Sequence, residues 1–454
     1  MNRHTYNPDD CIAALATPWG ESAIAVIRTS GPGSIERIGS MFSPEKRLTS
    51  AEPNTIVVGT ILSPADRAPI DQVMAAVYRA PKSYTGQDGV EIFCHGSRPG
   101  ITMILKALRR AGFRDASPGE FTFRAFMNRK MDLTRAEAVA EIVSARTERA
   151  QELALKRLSG ALEARIRSIR DRILGLLSAM EIQLDYPEDE IESPLPDGLL
   201  SVQTALSDIA EVLSTYKTGR LYRDGIRAAI AGRTNAGKSS LFNLMVNEDR
   251  SIVSEMRGTT RDYIESWVSV SGIPVCLIDT AGLRPTDNPV EIEGIRRSER
   301  IIASADIVLY LVDGSEGIHP EDTDTLKRLE SRPLIRVWNK IDMTDSEIPK
   351  GFVPVSSVSG EGLPFLYTEI SRILLEGSLH PKDDLVIDSE RQRDLLLRAS
   401  EALSHVSLGL EGGVPLDAVA MDVREALDAL GEIVGEVSEA DMLTDMFSRF
   451  CVGK

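Results

Sequence analysis

Gly232-Arg233-Thr234-Asn235-Ala236-Gly237-Lys238-Ser239 has the G-x-x-x-x-G-K-[ST] spacing of a phosphate-binding loop. The chemistry implied is capture of a polyphosphate by backbone N–H groups, aided by the partial positive charge of a helix N-terminus. Lys238 would reach the β- and γ-phosphates, and Ser239 would ligate Mg²⁺. Three further groups follow in the order such a site needs. Asp279-Thr280-Ala281-Gly282 offers a carboxylate to the Mg²⁺ shell and a glycine N–H to a γ-phosphate. Asn339-Lys340-Ile341-Asp342 offers a carboxylate that accepts from guanine N1–H and N2–H₂. Adenine has neither donor there, so the wrong base leaves a carboxylate unpaired and GTP is selected over ATP. Ser356-Ser357-Val358 would touch the base edge. Each short motif alone is compatible with an ordinary turn, but the ordered set predicts a guanine-nucleotide domain binding through Asn235, Ala236, Gly237, Lys238, Ser239, Ser240 and the three later motifs.

The elements needed to hold these groups are present. Apolar runs at 226–231, 275–278, 334–338 and 352–355 precede the four motifs, and 240–245 has helical character. The stretch Ser254-Glu255-Met256-Arg257-Gly258-Thr259-Thr260-Arg261-Asp262 falls where a switch loop belongs, with Thr260 as the expected Mg²⁺ and γ-phosphate ligand. Such a loop orders on GTP and relaxes after hydrolysis. In Ras-like proteins a Gln after D-x-x-G orients the attacking water. Here that position is Leu283, and no arginine finger is identifiable. Hydrolysis then needs another positive charge, which a monovalent cation on the Asn235 carbonyl oxygen would supply. Glu291 is the candidate to position water.

The segments G-R-T-N-A-G-K-S-S, G-T-T-R-D, D-T-A-G-L-R and N-K-I-D together resemble the MnmE (TrmE) family of tRNA-modification GTPases. The N-terminal part agrees, with Ser83-Tyr84-Thr85-Gly86, Val90-Glu91-Ile92, His95-Gly96, Pro118-Gly119-Glu120-Phe121 and Asn128-Arg129-Lys130-Met131-Asp132-Leu133. Phe450-Cys451-Val452-Gly453-Lys454 resembles the family's C-terminal signature. The resemblance implies a tetrahydrofolate-binding and dimerising α+β domain over 1–118. It implies a helical domain in two parts, 119–217 and 378–454, interrupted by a Ras-like P-loop GTPase domain over 218–377. It carries 5-formyl- or 5,10-methylene-tetrahydrofolate onto Arg28, Glu91, Lys130 and Lys454. It carries K⁺ onto Asn235, Ser254, Met256 and Thr259, the last three through backbone carbonyls, and Mg²⁺ onto Ser239 and Thr260. It also implies a homodimer acting with the FAD-dependent MnmG (GidA), in a heterotetramer or larger complex. Together they would build a 5-carboxymethylaminomethyl or aminomethyl group on wobble uridine 34 of tRNA.

Taken without the family, Arg28, Glu91 and Lys130 read as surface or salt-bridge residues. Cys451 is a candidate thiol or a tail cysteine with no role. Cys-Val-Gly-Lys is no prenylation box, because Gly453 and Lys454 stand where an aliphatic and a small or apolar residue belong.

The 454 residues, 42% of them hydrophobic, predict two or three domains with sizeable cores. Residues before 117 mix β-type runs with a helical stretch at 101–111, an α+β pattern. Apolar residues from Leu153 through Leu158, Leu162, Ile166, Ile169, Ile173 and Leu177 to Met180 recur at helical spacing and predict one long amphipathic helix. Further helices are expected at 199–215, 391–409 and 416–434. The net charge of −16 excludes a broad electrostatic footprint on RNA, so tRNA affinity should come from a local basic patch or a partner. Cys11, Cys94, Cys276 and Cys451 lack metal-ligand spacing and suit a reducing cytosol. No run spans a membrane and the start lacks a signal peptide's apolar core, so a cytoplasmic location is expected. Two rival readings are a ribosome-assembly or signalling-type GTPase switch without one-carbon chemistry, and a scaffold that barely turns GTP over.

Overall fold

Alternation of small or β-branched residues with polar ones builds the first sheet, in the order β3-β4-β5-β6-β2-β1-β7. Its strands are β1 (Ile12–Leu15), β2 (Ser22–Ser30), β3 (Phe42–Ser43), β4 (Thr55–Leu62), β5 (Pro69–Tyr78), β6 (Gly89–Gly96) and β7 (Arg114–Asp115). All neighbours are antiparallel except β1 and β7. Ile27, Ala75 and Ile92 turn to one face and form a core with Ile35, Ile101, Ile104 and Leu108 from the helices Ser34–Gly39 and Arg98–Arg110. Ser97 caps the second of these by accepting from Gly100 N at 3.2 Å. The computed structural model describes residues 7, 9–185, 198–248, 265–280, 299–375, 385–436 and 440–453. They divide into two units, Met1–Ala140 with Gly431–Lys454, and Glu141–Leu430.

In the first unit the sheet is followed by helix Glu120–Met127 and by helix Leu133–Ser144, whose first turn Asp132 caps through Thr134 N at 2.8 Å. Phe447 of the helix Ala440–Ser448 meets Phe123 edge-on at 5.5 Å and shares a core with Leu133.

The second unit holds a sheet ordered β13-β12-β11-β8-β10-β9. These strands are β8 (Ile226–Gly232), β9 (Glu265–Val270), β10 (Ile273–Asp279), β11 (Ile307–Asp313), β12 (Leu334–Asn339) and β13 (Phe352–Val355). Only the β9–β10 pair is antiparallel among them. β11 is buried along its whole length, which a parallel strand covered on both faces requires. β8 lies between β10 and β11, so the loop after it opens at the carboxyl edge where the chain order reverses, the usual ligand crevice of such sheets.

The helical part of this unit departs from the sequence in one respect. The expected single helix from Leu153 to Met180 is two, Glu148–Leu158 and Ala161–Asp185. Gly160 stands between them at φ +92°, where a right-handed helix cannot continue. Helix Ala161–Asp185 packs on Gly198–Ser214, which in turn packs on Glu390–Glu411. Asp208 accepts from both Arg165 (3.1 Å) and Arg172 (3.0 Å) across the first of these contacts. The chain enters the sheet through helix Tyr216–Asp224 and returns through residues 385–388, and these crossings touch. Thr215 Oγ1 accepts from Ile387 N at 3.1 Å. Arg157, 4% exposed, donates to Glu141, to Val386 O at 3.1 Å and to Asp388 Oδ2 at 2.8 Å.

Candidate functional site

The phosphate loop runs from β8 into helix Lys238–Glu248. Asn235 takes φ +65°, a left-handed conformation that asparagine tolerates better than most residues. Gly237 has no room for a side chain, because a Cβ there would stand 2.1 Å from Asn339 Nδ2. That amide is a brace. Buried Asn339 donates through Nδ2 to Ala236 O at 2.7 Å and accepts at Oδ1 from Ser357 N at 3.1 Å, so one side chain ties the phosphate loop to the base loop.

The metal position has suitable donors. Ser239 Oγ donates to Asp279 Oδ2 at 2.7 Å, while Asp279 Oδ1 is buried with no hydrogen-bond partner among the described residues. A hydroxyl oxygen and an unsatisfied carboxylate oxygen side by side are hard ligands of the kind Mg²⁺ takes. Thr280 anchors this corner through Oγ1 to Ile230 O at 2.7 Å. Lys238 Nζ donates to Arg233 O at 2.7 Å, curling over the loop it follows. Burial pushes the Lys238 ammonium down from its usual value and Asp279 pulls it part of the way back. Ser240 is exposed on the first helical turn.

At the base end, Lys340 takes φ +63° and pairs with Asp313 Oδ2 at 2.5 Å. Burial pushes the Asp313 carboxyl up, and the hydrogen bonds from Lys340 and Ser315 outweigh it, leaving it below the usual carboxylate range. Asp342 lies exposed in the 3₁₀ turn Ile341–Met343. Ser356 Oγ accepts from Val358 N at 3.3 Å and Ser359 N at 3.0 Å, shaping the turn beside Ser357. Sequence reasoning passed over Asp313, though an Asp ending the strand next to Asn339 was there to be read. Ser254, Glu255, Met256, Arg257, Gly258, Thr259, Thr260, Ala281, Gly282, Leu283, Glu291 and Lys454 lie outside the described residues. Of the expected K⁺ ligands, only Asn235 is therefore placed.

The N-terminal sheet brings a second group together. β2 and β6 set Arg28 opposite Glu91, and Arg28 Nε donates to Glu91 Oε1 at 2.7 Å. Tyr78 Oη donates to Glu91 Oε2 at 3.3 Å, and burial, then the Glu91 charge, pushes the Tyr78 phenol up. The Arg28 guanidinium lies 5.9 Å from the Tyr84 ring centre and 5.8 Å from that of Phe121. Its Nη1 donates to Gly453 O at 2.9 Å, which brings the C-terminal tail to the group. Lys130 is exposed and donates to Pro81 O at 2.9 Å. A half-buried carboxylate framed by a cation and aromatic rings fits the amino edge and flat ring of a pterin.

The helix that carries Phe121 also carries a buried charge cluster. Glu120 is fully buried and accepts from Arg114 at 2.6 and 2.8 Å, from Arg124 at 2.9 Å and from Ser117 N at 3.0 Å. Burial would raise the Glu120 carboxyl; the hydrogen bonds, Arg114's first, outweigh it and hold it below its ordinary value. Arg124 also donates to Gln87 Oε1 at 2.9 Å, and Gln87 accepts from Ser30 Oγ at 3.0 Å. Burial pushes the Cys94 and Cys276 thiols up to about 11, whereas Cys451 is exposed. No described helix is long and apolar enough to cross a membrane.

Two family models match the chain. The MnmE helical domain covers residues 133–451, and the GTP-binding protein TrmE N-terminus covers 11–130. The tRNA modification GTPase MnmE of Carboxydothermus hydrogenoformans is 39% identical over 98% of this chain and 100% of its own length. That of Moorella thermoacetica is 41% identical, again over 98% and 100%.

Proposed function

The chain belongs to the MnmE family of tRNA modification GTPases, and from that premise we propose that it hydrolyses GTP to drive uridine modification in tRNA. The Asn339 brace carries the nucleotide part of this reading, since it couples the loop that would hold phosphates to the turn that would hold guanine. Ser239 and Asp279 would hold Mg²⁺. K⁺ at Asn235, completed by Ser254, Met256 and Thr259, would supply the charge an arginine finger gives elsewhere. Glu291 would position the water.

The Arg28–Glu91 pair supports the one-carbon part, with Lys130 and Lys454 as further ligands of a 5-formyl- or 5,10-methylene-tetrahydrofolate. In this reading residues 1–118 bind folate and form the homodimer, 119–217 with 378–454 make the helical domain, and 218–377 the GTPase domain. The protein acts in the cytoplasm with the FAD-dependent MnmG on wobble uridine 34, and hydrolysis gates the chemistry by opening and closing the site.

GTP turnover by the purified chain in K⁺ and in Na⁺ at equal ionic strength tests the mechanism. A rise of roughly tenfold or more in K⁺ is expected, by analogy with the loss of a single charge-stabilising group at such centres. Equal, slow turnover in both salts overturns the cation role and leaves a switch that waits for a partner.

A further inference from the structure

In the first unit the loop before β6 is stitched to helix Glu120–Met127 and the turn that follows it. Tyr84 Oη and Thr122 Oγ1 lie 3.0 Å apart, Asn128 Nδ2 donates to Thr85 O at 2.6 Å, and Lys130 Nζ reaches Pro81 O at 2.9 Å. Lys82 directly follows the carbonyl that receives Lys130, and Arg129 directly precedes Lys130. Lys82 and Arg129 thus each stand one residue, about 3.8 Å along the chain, from an end of the Lys130–Pro81 contact, and with Lys130 they make up a short basic rim. All three are exposed, and the Lys82 and Arg129 side chains have no partner among the described residues.

Arg129 sits at φ +55°, just past helix Glu120–Met127. That position favours glycine, and an arginine in the left-handed region is strained. Backbone strain of this kind is enriched at ligand-binding sites. The stitched loop also carries Tyr84, whose ring lies over the Arg28 guanidinium. The rim is therefore built onto the same loop as the aromatic wall of the Arg28–Glu91 group.

We propose that Lys82 and Arg129, beside Lys130, bind the γ-linked carboxylates of a polyglutamylated folate, making the N-terminal site selective for long-tailed forms. The inference rests on the folate reading of the Arg28–Glu91 site. A tail of repeated carboxylates matches a short run of cations. An RNA backbone needs many phosphate contacts for useful affinity, which a small rim on a chain of net charge −16 does not offer.

Calorimetric titration of the full chain with the mono- and pentaglutamate forms of 5-formyltetrahydrofolate tests it. The pentaglutamate is expected to bind roughly fivefold to twentyfold more tightly at low salt, as a few exposed ion pairs allow, with the difference shrinking at high salt. Lys82→Ala with Arg129→Gly should remove most of that preference and leave monoglutamate affinity in place. Because glycine suits φ +55°, this variant should melt no lower than the native chain, which separates lost recognition from lost structure. Equal binding of the two forms by the native chain overturns the rim. So does a double variant that keeps the preference while losing tRNA affinity, which would assign the cations to RNA. If neither form binds, the folate reading itself falls and the rim falls with it.

Discussion

In the six-stranded sheet the groups proposed to select the ligand stand on turns beyond the strand ends, whereas in the seven-stranded sheet those proposed stand within the strands. Asp342 and Ser357 follow β12 and β13, and the Asn339 side chain ties the Ser357 turn to the phosphate loop. Arg28 and Glu91 are opposed by the ladder register itself. A turn can reposition around a moving phosphate, so the first arrangement suits a site that must change state. A register pair cannot shift without slipping the strand, so the second suits a site that holds one ligand in one pose.

The sharpest way to break this comparison is Asp342→Asn. Loss of two charge-assisted hydrogen bonds to guanine should weaken GTP binding roughly a hundredfold or more, with folate binding unchanged. A fluorescent-nucleotide titration showing native affinity would end the assignment of Asp342 to the base.

Glu120→Gln tests whether the N-terminal site has a brace of its own. Removing the buried acid leaves Arg114 and Arg124 facing each other, at a cost of about 3–5 kcal/mol in stability of the first unit. The native acid also sets a pH dependence. Its folded carboxyl lies below the ordinary 4.5, so its stabilisation is complete above that value and drains away as pH falls through the folded value. Urea unfolding at stepped acid pH should show this loss in the native chain and a flatter profile in the variant.

The smallest effect is expected from Arg28→Ala. Both partners are partly exposed, 28% and 18%, so stability should fall by only about 1–2 kcal/mol while folate binding is lost and GTP binding stays. A large drop in melting temperature with folate affinity retained would mean that the pair is structural.

The nucleotide motifs were legible in the sequence because each is a few consecutive residues of fixed type and spacing, standing in the expected order after apolar runs. The N-terminal site was legible only in Arg28, Glu91 and Lys130, and those by resemblance. Tyr78, Tyr84 and Phe121 join it through strand register and loop stitching, across separations such as the 63 residues between Arg28 and Glu91. Glu and Arg are mostly exposed in proteins, and only the folded chain shows Glu120 and Arg124 buried and paired. The break at Gly160 is not legible because apolar residues recur on both sides of it, and Leu153 and Leu162 are both buried. Periodicity reports which side is buried, not whether the backbone is continuous.

The contact between Thr215 and Ile387 has a consequence for how the chain folds. It joins residues 172 positions apart, and closing a loop of that length costs about 4–5 kcal/mol of chain entropy, growing by only about 0.6 kcal/mol if the length were doubled. The helices on either side become neighbours cheaply only once the sheet between them has drawn its own ends together. A substitution that slows assembly of that sheet should therefore delay docking of Glu390–Glu411 onto Gly198–Ser214, although it touches neither helix.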